Sequence, residues 1–163
     1  MTAVLDKLNQ LMDHQLSLYD QLLQLCRIEQ EFLIQNRGES LENLLEQQDG
    51  VIQIIEQNDK TRRAYFYNIA FDFGIEHDDV SFQKIIGLAP TPYSTWFETK
   101  YNRLAETIDH LNQVNQLNTT LISNTLKYTD TMIKLISRAA VSPHYNAEGE
   151  QAENTKKLLD TKR

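Results

Sequence analysis

Apolar residues recur at steps of three and four along most of this sequence, the spacing that gathers side chains on one face of an α-helix. The pattern predicts three long helices, at about residues 2–35, 41–71 and 92–138, and a short connecting helix at about 79–86. The chain has five Gly and three Pro in 163 residues, so it offers few places to turn. The sequence therefore predicts an all-α fold.

Glycine and small polar residues mark the expected helix ends. Gly38 suits a left-handed C-terminal cap, and Ser40 can accept hydrogen bonds from the first free amides of helix two. Gly74 is suited to end helix two. The other expected boundary residues are Asp78 or Asp79 as the cap of the short helix, Gly87 as its end, and Thr91 and Pro92 as the N-cap and first residue of helix three.

The apolar stripes predict which side chains face the core. In helix one, the stripe is widened enough to need two neighbouring helices by Leu11, Leu18, Leu25 and Ile28. Gly50 lies inside helix two, where it costs about 1 kcal/mol relative to Ala. The expected core stripe of helix two is Leu41, Leu45, Ile52, Ile55, Phe66 and Ile69.

Short turns between long helices predict an elongated antiparallel three-helix bundle or coiled coil over residues 1–138, with a flexible, partner-binding tail over 139–163. Helix three would be on the order of 70 Å long at about 1.5 Å per residue. The tail has few large apolar side chains, worth roughly 8 kcal/mol if buried. Ordering its backbone costs at least about 25 kcal/mol, so we expect it to fold only on a partner.

The charge narrows the range of partners. The formal net charge is −7, which disfavours nucleic acid and anionic membranes. Cys26 is the single cysteine, and we expect no internal disulfide. No basic and apolar leader and no apolar run of about 20 residues is present, so we expect a cytoplasmic protein with no membrane insertion.

No residue pattern predicts catalysis, a metal, a cofactor or a small-molecule substrate. His14 and His110 have no second His or Cys at ligand spacing, and Glu106 lies four residues before His110, where di-iron bundles have three. A histidine phosphotransfer domain is an alternative, although neither histidine is followed by the usual lysine and small residue. Cys26 lies on an apolar stripe and is expected to be a small core residue.

Two asparagines lie on helix three where hydrocarbon is expected. Asn115 and Asn118 are three residues apart, so both lie beside or within the apolar stripe. They could form a polar layer that sets the helix register, or part of a binding surface. The sequence leaves both interpretations open.

The C-terminal third resembles a known family. Residues 115–122 read N-Q-L-N-T-T-L-I and residues 145–149 read Y-N-A-E-G. Together they are similar to the FlgN family signature, N-x-x-N-x-x-L-I followed by Y-x-x-x-G, and the specific match covers about 111–150. Arg62, Arg63 and the connection from Gly74 to Gly87 are also similar to family members. The residues after Gly149 are not a family motif.

The resemblance implies a flagellar type III export chaperone. Such proteins bind hook-filament junction proteins in the cytosol, mask the terminal amphipathic helices with which these proteins polymerise, and deliver them to the export gate. The tyrosine of the Y-x-x-x-G motif, here Tyr145, is implicated in docking to the cytoplasmic domain of the gate.

The residues expected to contact partners lie on late helix three and on the tail. Several of those on helix three could equally be core. They are Asn115, Asn118, Leu121, Ile122, Leu126, Met132, Leu135, Ile136, Val141, Tyr145, Gly149, Leu158 and Leu159. Besides the phosphotransfer domain, a generic coiled-coil adaptor and a sister chaperone for the filament or its cap stay open as alternatives.

Overall fold

The computed structural model of the protein describes residues 2–76 and 81–141 and contains only helices there. The predicted all-α fold is confirmed. The long helices are α1 (Thr2–Ile34), α2 (Leu41–Asp72) and α4 (Tyr93–Val141), with the short α3 (Phe82–Leu88) between the last two and a 3₁₀ turn (Gly38–Ser40) before α2. The chain divides into two compact units, Met1–Leu121 and Ile122–Arg163.

In the first unit the three long helices pack in an up-down-up order. Gln48 of α2 donates a hydrogen bond to Glu29 of α1, whereas Asn58 donates to the Leu11 carbonyl, so α2 is antiparallel to α1. The hydrogen bonds between α4 and α1 show that these two helices are parallel. They join Tyr93 to Asp6, Lys100 to Asn9, Thr107 to Asp20 and Asn118 to Cys26.

Two apolar clusters fill the interior of this unit. The first cluster joins α3 to the beginnings of α1 and α4 and to the end of α2. It contains Leu5, Leu8, Met12, Ile69, Ala70, Ile85, Ala89, Tyr93 and Phe97. The other lies between the three long helices and contains Leu18, Leu22, Leu23, Leu25, Cys26, Leu44, Val51, Ile55 and Leu111. As the wide stripe of α1 predicts, this helix contacts both α2 and α4 along its length.

The end of α1 corrects one expected cap. Asn36, and not Gly38, adopts the left-handed conformation, with φ of 56°. The Asn36 amide donates to the Leu33 carbonyl and the Arg37 amide to that of Phe32, the paired bonds of a Schellman motif. Asparagine tolerates this conformation better than most residues, which is why it can take the place of a glycine.

The start of α2 corrects a second expectation. Ser40 directly precedes α2, but its side chain makes no capping hydrogen bond to any described residue. Its backbone is helical, with φ of −87° and ψ of −11°, because the 3₁₀ turn leads straight into the helix. An N-cap side chain needs an extended backbone to reach back to the free amides.

The ends of the other helices agree only in part with the caps predicted from the sequence. Gly74, with φ of 71°, closes α2 as predicted, and the Ile75 amide donates to the Ala70 carbonyl. Ser81 caps α3 by accepting from the Lys84 amide at 3.2 Å. The expected caps Asp78 and Asp79 lie outside the described residues, Gly87 lies within α3 and does not stop it, and α4 begins one residue after Pro92.

The core stripe of α2 differs from the one expected. Leu45 and Ile52 are 47% and 40% exposed, although the apolar pattern placed them in the core. The residues that are buried instead form a row with heptad spacing. Two of them are polar, so a search for apolar residues does not find this row. It consists of Leu44, Gln48, Val51, Ile55 and Asn58.

Helix α4 continues three residues past its predicted end at Arg138, to Val141. The first residues of the proposed tail, from Ala139 to Val141, therefore belong to a helix. The remainder of the tail, residues 142–163, lies outside the described residues.

Two glycines allow a matched test of these helix assignments. Gly50→Ala should raise the free energy of unfolding by about 1 kcal/mol, because Ala is the better helix former. Gly74→Ala should lower it by about 1 kcal/mol, because Ala is strained at a left-handed φ. A Cβ at either site meets no atom within 4 Å, so packing does not complicate the comparison. Thermal unfolding followed by circular dichroism measures both, with expected shifts of about 2–4 °C; shifts of the same sign would contradict the assignment.

Candidate functional site

Burial changes abruptly along α4. Phe97, Thr107, Leu111 and Asn118 are buried, and Leu121 is half-buried. Every side chain from residue 122 to residue 138 is exposed. This stretch nevertheless carries large apolar side chains with 40–67% of their surface exposed, namely Ile122, Leu126, Tyr128, Met132, Ile133, Leu135 and Ile136.

The side chains of α4 that face α1 form one row with alternating steps of four and three. Tyr93, Lys100, Thr107 and Asn118 belong to it, and each makes a hydrogen bond to α1. This alternation is the heptad spacing of coiled-coil packing. We call this spacing the first row, and it faces α1 up to Asn118. The same spacing continues along the exposed stretch, so the full row comprises Tyr93, Phe97, Lys100, Leu104, Thr107, Leu111, Val114, Asn118, Leu121, Thr125, Tyr128, Met132 and Leu135.

A second row with the same spacing runs along the neighbouring face of α4. It begins at Tyr101, whose ring stacks on Phe82 of α3 with centroids 5.4 Å apart. An open, mostly apolar groove follows at Ile108 and its neighbours. The members of the second row are Tyr101, Ala105, Ile108, Asn112, Asn115, Thr119, Ile122, Leu126, Thr129, Ile133 and Ile136.

Asn118 lies in a polar layer shared by the three long helices. Its amide nitrogen donates to the Cys26 carbonyl at 2.8 Å and to Glu29 Oε2 at 3.1 Å. Gln48 donates to the same Glu29 oxygen at 3.0 Å. Asn118, Glu29 and Gln48 are all buried, so each bond forms away from water. Asn115, in contrast, is exposed. The two asparagines therefore lie in different environments, which the sequence did not distinguish.

The layer controls the chemistry of Cys26. Burial, and then the negative charge of Glu29, raise the pKa of the Cys26 thiol to about 11. The reactive form of cysteine is the thiolate, which is therefore scarce at neutral pH. Cys26 is buried at 3% exposure and packs in the second apolar cluster, as a small core residue would.

Two arginines similar to those of family members form an ion cluster on α2. Arg62 and Arg63 contact the two oxygens of Asp59 at 2.6 and 2.7 Å. Burial raises the pKa of Asp59, but the hydrogen bonds and charges of both arginines outweigh this and hold it below its usual value. Burial and then the charge of Asp59 raise the pKa of Tyr19 on α1. The ion pairs of the cluster lie within α2, and its charge is felt by Tyr19 on α1.

The structure places the predicted site residues in three environments. Asn118 is buried, and Leu121 is half-buried. Asn115, Ile122, Leu126, Met132, Leu135 and Ile136 are exposed. Val141 lies in the last turn of α4, and Tyr145, Gly149, Leu158 and Leu159 lie outside the described residues.

Two exposed apolar residues between positions 122 and 138 were not among the site residues predicted from the sequence. Tyr128 is 67% exposed and Ile133 is 57% exposed. Tyr128 belongs to the first row and Ile133 to the second. Both residues continue the heptad spacing of their rows, a signal that is present in the sequence.

The histidines make no site in the described chain. His14 and His110 are both exposed, on α1 and α4. Within residues 2–76 and 81–141, no three His, Cys, Asp or Glu side chains are arranged to hold a metal ion. No helix in these two ranges combines the length and apolar character of a membrane span.

A protein-family model described as "FlgN protein" matches residues 1–153. The matched stretch includes the N-x-x-N-x-x-L-I run, Tyr145 and Gly149, and it ends before Leu158. Comparison with curated proteins and with solved structures gave no match.

The two motif asparagines allow a test of the polar layer. Asn118→Ala should lower the free energy of unfolding by about 2 kcal/mol, because the Cys26 carbonyl and the Glu29 carboxylate each lose a buried donor. Asn115→Ala, at the exposed motif position, is the control and should change stability by less than about 0.5 kcal/mol. Urea unfolding followed by circular dichroism measures both. Equal effects would show that the layer contributes nothing to stability.

Proposed function

Because the chain belongs to the FlgN family of flagellar export chaperones, we propose that it binds hook-filament junction proteins in the cytoplasm, prevents their premature polymerisation and delivers them to the export gate. The family places the chain among proteins that bind flagellar export substrates. Three parts of this function are our proposal: that the substrates are junction proteins, that binding takes place in the cytoplasm, and that the destination is the export gate.

The observation that carries the proposal is the apolar surface of α4 between Ile122 and Ile136. Large exposed apolar patches on a soluble domain commonly mark a binding surface. An amphipathic helix of a substrate would bury these side chains by laying its own apolar face against them. Fully burying a large apolar side chain contributes about 2 kcal/mol, and these seven are about half exposed, so the surface offers roughly 8 kcal/mol before the cost of association.

The expected binding free energy suits a chaperone that must later release its substrate. Association costs about 4–15 kcal/mol in lost freedom of motion, and ordering a substrate helix adds to this. Moderate affinity follows, which is compatible with release at the gate. Nothing in this binding requires ATP.

Charge favours a partner of opposite sign. The whole chain has a net charge of −7, but residues 122–138 carry Lys127, Lys134 and Arg138 against the single acid Asp130. Lys134 forms an ion pair with Asp130 of its own helix at 2.5 Å, and the segment keeps a net charge of +2. A substrate helix with acidic residues would be attracted to this part of α4.

Docking to the gate is assigned to Tyr145. The support is the Y-x-x-x-G motif, which lies within the residues matched by the family model. Leu158 and Leu159 lie beyond the matched residues, so their proposed contact with substrate depends only on their apolar character. Val141 is the last residue of α4, and we propose that it also contacts substrate.

Co-purification from a flagellated host tests substrate binding. The wild-type chain should retain a junction protein, and Leu126→Asp should reduce recovery at least about tenfold, because it places a charge in the apolar surface. Thr120→Asp is the control and should retain the partner, because Thr120 is exposed on the face of α4 opposite both rows. Removal of residues 139–163 tests the tail, and full recovery without it would place recognition on α4 alone. Equal recovery by wild type and Leu126→Asp would refute the proposed surface.

Tyr145→Ala tests gate docking separately. We expect this variant to keep wild-type helicity and junction-protein binding while its affinity for the purified cytoplasmic domain of the gate falls at least about tenfold, because an aromatic anchor is lost. Isothermal titration calorimetry measures the affinity, and circular dichroism measures helicity. Unchanged gate affinity, or a loss of helicity, would argue against a docking role.

A further inference from the structure

We propose that α4 is hinged at the first apolar cluster, around Leu8 and Phe97, so that its part from Lys100 to Leu121 tilts away from α1 as the salt concentration rises. The packing of α1 on α2 stays intact in this movement. The hinge is a property of the chain alone, so it goes beyond the proposed function and does not depend on it.

Apolar packing holds the beginning of α4. Phe97 is buried at 0% exposure, and Tyr93 lies with it in the first cluster. Leu5 and Leu8 of α1 belong to the same cluster and are at most 1% exposed. The ring of Phe82 on α3 lies 6.0 Å from that of Phe97. Salt screens charges and leaves apolar packing in place, so this end of α4 stays fixed.

Beyond Phe97, α4 contributes few buried apolar side chains. From residue 100 to residue 121, all of them described, Leu111 is the one apolar side chain of α4 that is buried. The other buried members of the second cluster belong to α1 and α2, so that cluster keeps most of its packing when α4 tilts. The apolar side chains of this part of α4 that are half-buried are Leu104, Ile108, Val114 and Leu121.

Carboxylates of α1 supply much of the remaining attachment. Three aspartates of α1 are seven residues apart, and each accepts a hydrogen bond or an ion pair from α4. Their partners on α4 have the same spacing, and we call this series the carboxylate ladder. The pairs are Asp6 with Tyr93, Asp13 with Lys100, and Asp20 with Thr107.

The charged pairs of the carboxylate ladder are open to salt. Asp13, the partner of Lys100, is 59% exposed. Arg103 adds a second ion pair to Asp20 at 3.0 Å, and these two side chains are 64% and 40% exposed. An open, mostly polar groove is lined by Asp13, Asp20 and Arg103. The screening length falls from about 10 Å at 0.1 M salt to about 3 Å at 1 M, so these attractions weaken as salt is added.

The polar layer at Asn118 opposes the tilt only in part. Asn118 Nδ2 would exchange its bonds to the Cys26 carbonyl and Glu29 for bonds to water. Asn118 Oδ1 is buried and accepts no hydrogen bond from any described residue, so exposure to water would gain a bond for this atom. Tilting would also expose Asn118, and then both asparagines of the motif, Asn115 and Asn118, would face water.

Distances between spin labels test the hinge. The labels are attached to pairs of introduced cysteines at exposed positions, in a Cys26→Ala chain that has no other thiol. One pair spans α1 and the far part of α4, one spans α1 and the beginning of α4, and one spans α1 and α2. These pairs are Gln24→Cys with Gln116→Cys, Gln10→Cys with Thr99→Cys, and Gln24→Cys with Gln53→Cys.

Only the first distance should respond to salt. Residue 116 lies about 28 Å along α4 from Phe97, so a tilt of about 15° would move it by about 7 Å. We expect the distance between Gln24 and Gln116 to show a second population that is longer by at least about 5 Å and grows at least about threefold between 0.1 M and 1 M sodium chloride. A distance that salt leaves unchanged, or lengthening of either other pair, would overturn the hinge.

A charge substitution provides the second measurement. Arg103→Gln should increase the longer population at least about twofold at 0.1 M salt, because Asp20 loses its ion pair. Arg63→Gln is the matched control, since it also removes an arginine from an ion pair, but its partner Asp59 lies on the same helix. The control should leave the population unchanged, and circular dichroism should show equal helicity in both variants. Equal populations in the two variants would overturn the hinge.

Dilution with unlabelled chain excludes a contribution from pairs of molecules. The longer population should persist when about ten unlabelled chains are present for each labelled one. Its loss would assign it to a dimer and overturn the hinge. Because these experiments contain no substrate, their failure would leave the proposed function unaffected.

Discussion

The Glu29 carboxylate fixes how the three long helices are aligned. Gln48 from α2 and Asn118 from α4 donate to the same Glu29 oxygen, so both helices are held at one level of α1. Apolar side chains at heptad spacing can slip by one repeat and still be buried, whereas a buried hydrogen-bonded layer is satisfied in one alignment. Asn118 Oδ1 finds no hydrogen bond among the described residues, which reduces what the layer adds to stability. Its main effect is therefore alignment.

Alignment matters because α4 serves two purposes. Its first part is core, and its last described part is an exposed apolar surface. Leu121 and Ile122 lie one turn after Asn118, at the beginning of that surface. If α4 shifted by one repeat along α1, part of the surface would be buried and part of the core exposed. A polar layer at Asn118 keeps the boundary between the two at a fixed residue.

The sequence predicted the helices well and their details less well. Long periodic segments and the scarcity of glycine and proline indicated α1, α2 and α4 to within a few residues. The core stripe of α2 was right at Ile55 and Ile69 but wrong at Leu45 and Ile52. The buried row also contains Gln48 and Asn58, which make hydrogen bonds to α1, and a pattern of apolar residues cannot show this. The expected cap after α1 was wrong because the helix ends at Ile34, so the left-handed conformation falls on Asn36 rather than on Gly38. The heptad rows of α4 were present in the sequence throughout, but they could be separated only once the structure showed that Asn118 is buried and Asn115 is not.

The apolar character of the exposed stretch of α4 has a consequence for selectivity. Its large side chains are mostly isoleucine, leucine and methionine, so most of the contacts that it can offer a partner are apolar. Apolar contacts discriminate weakly between ligands that differ by a methylene or a hydroxyl, whereas a site with buried polar groups rejects a ligand that cannot pair with them. Selection on this surface would therefore depend on the spacing and bulk of apolar side chains, and several ligands with the same apolar period would bind it with similar strength.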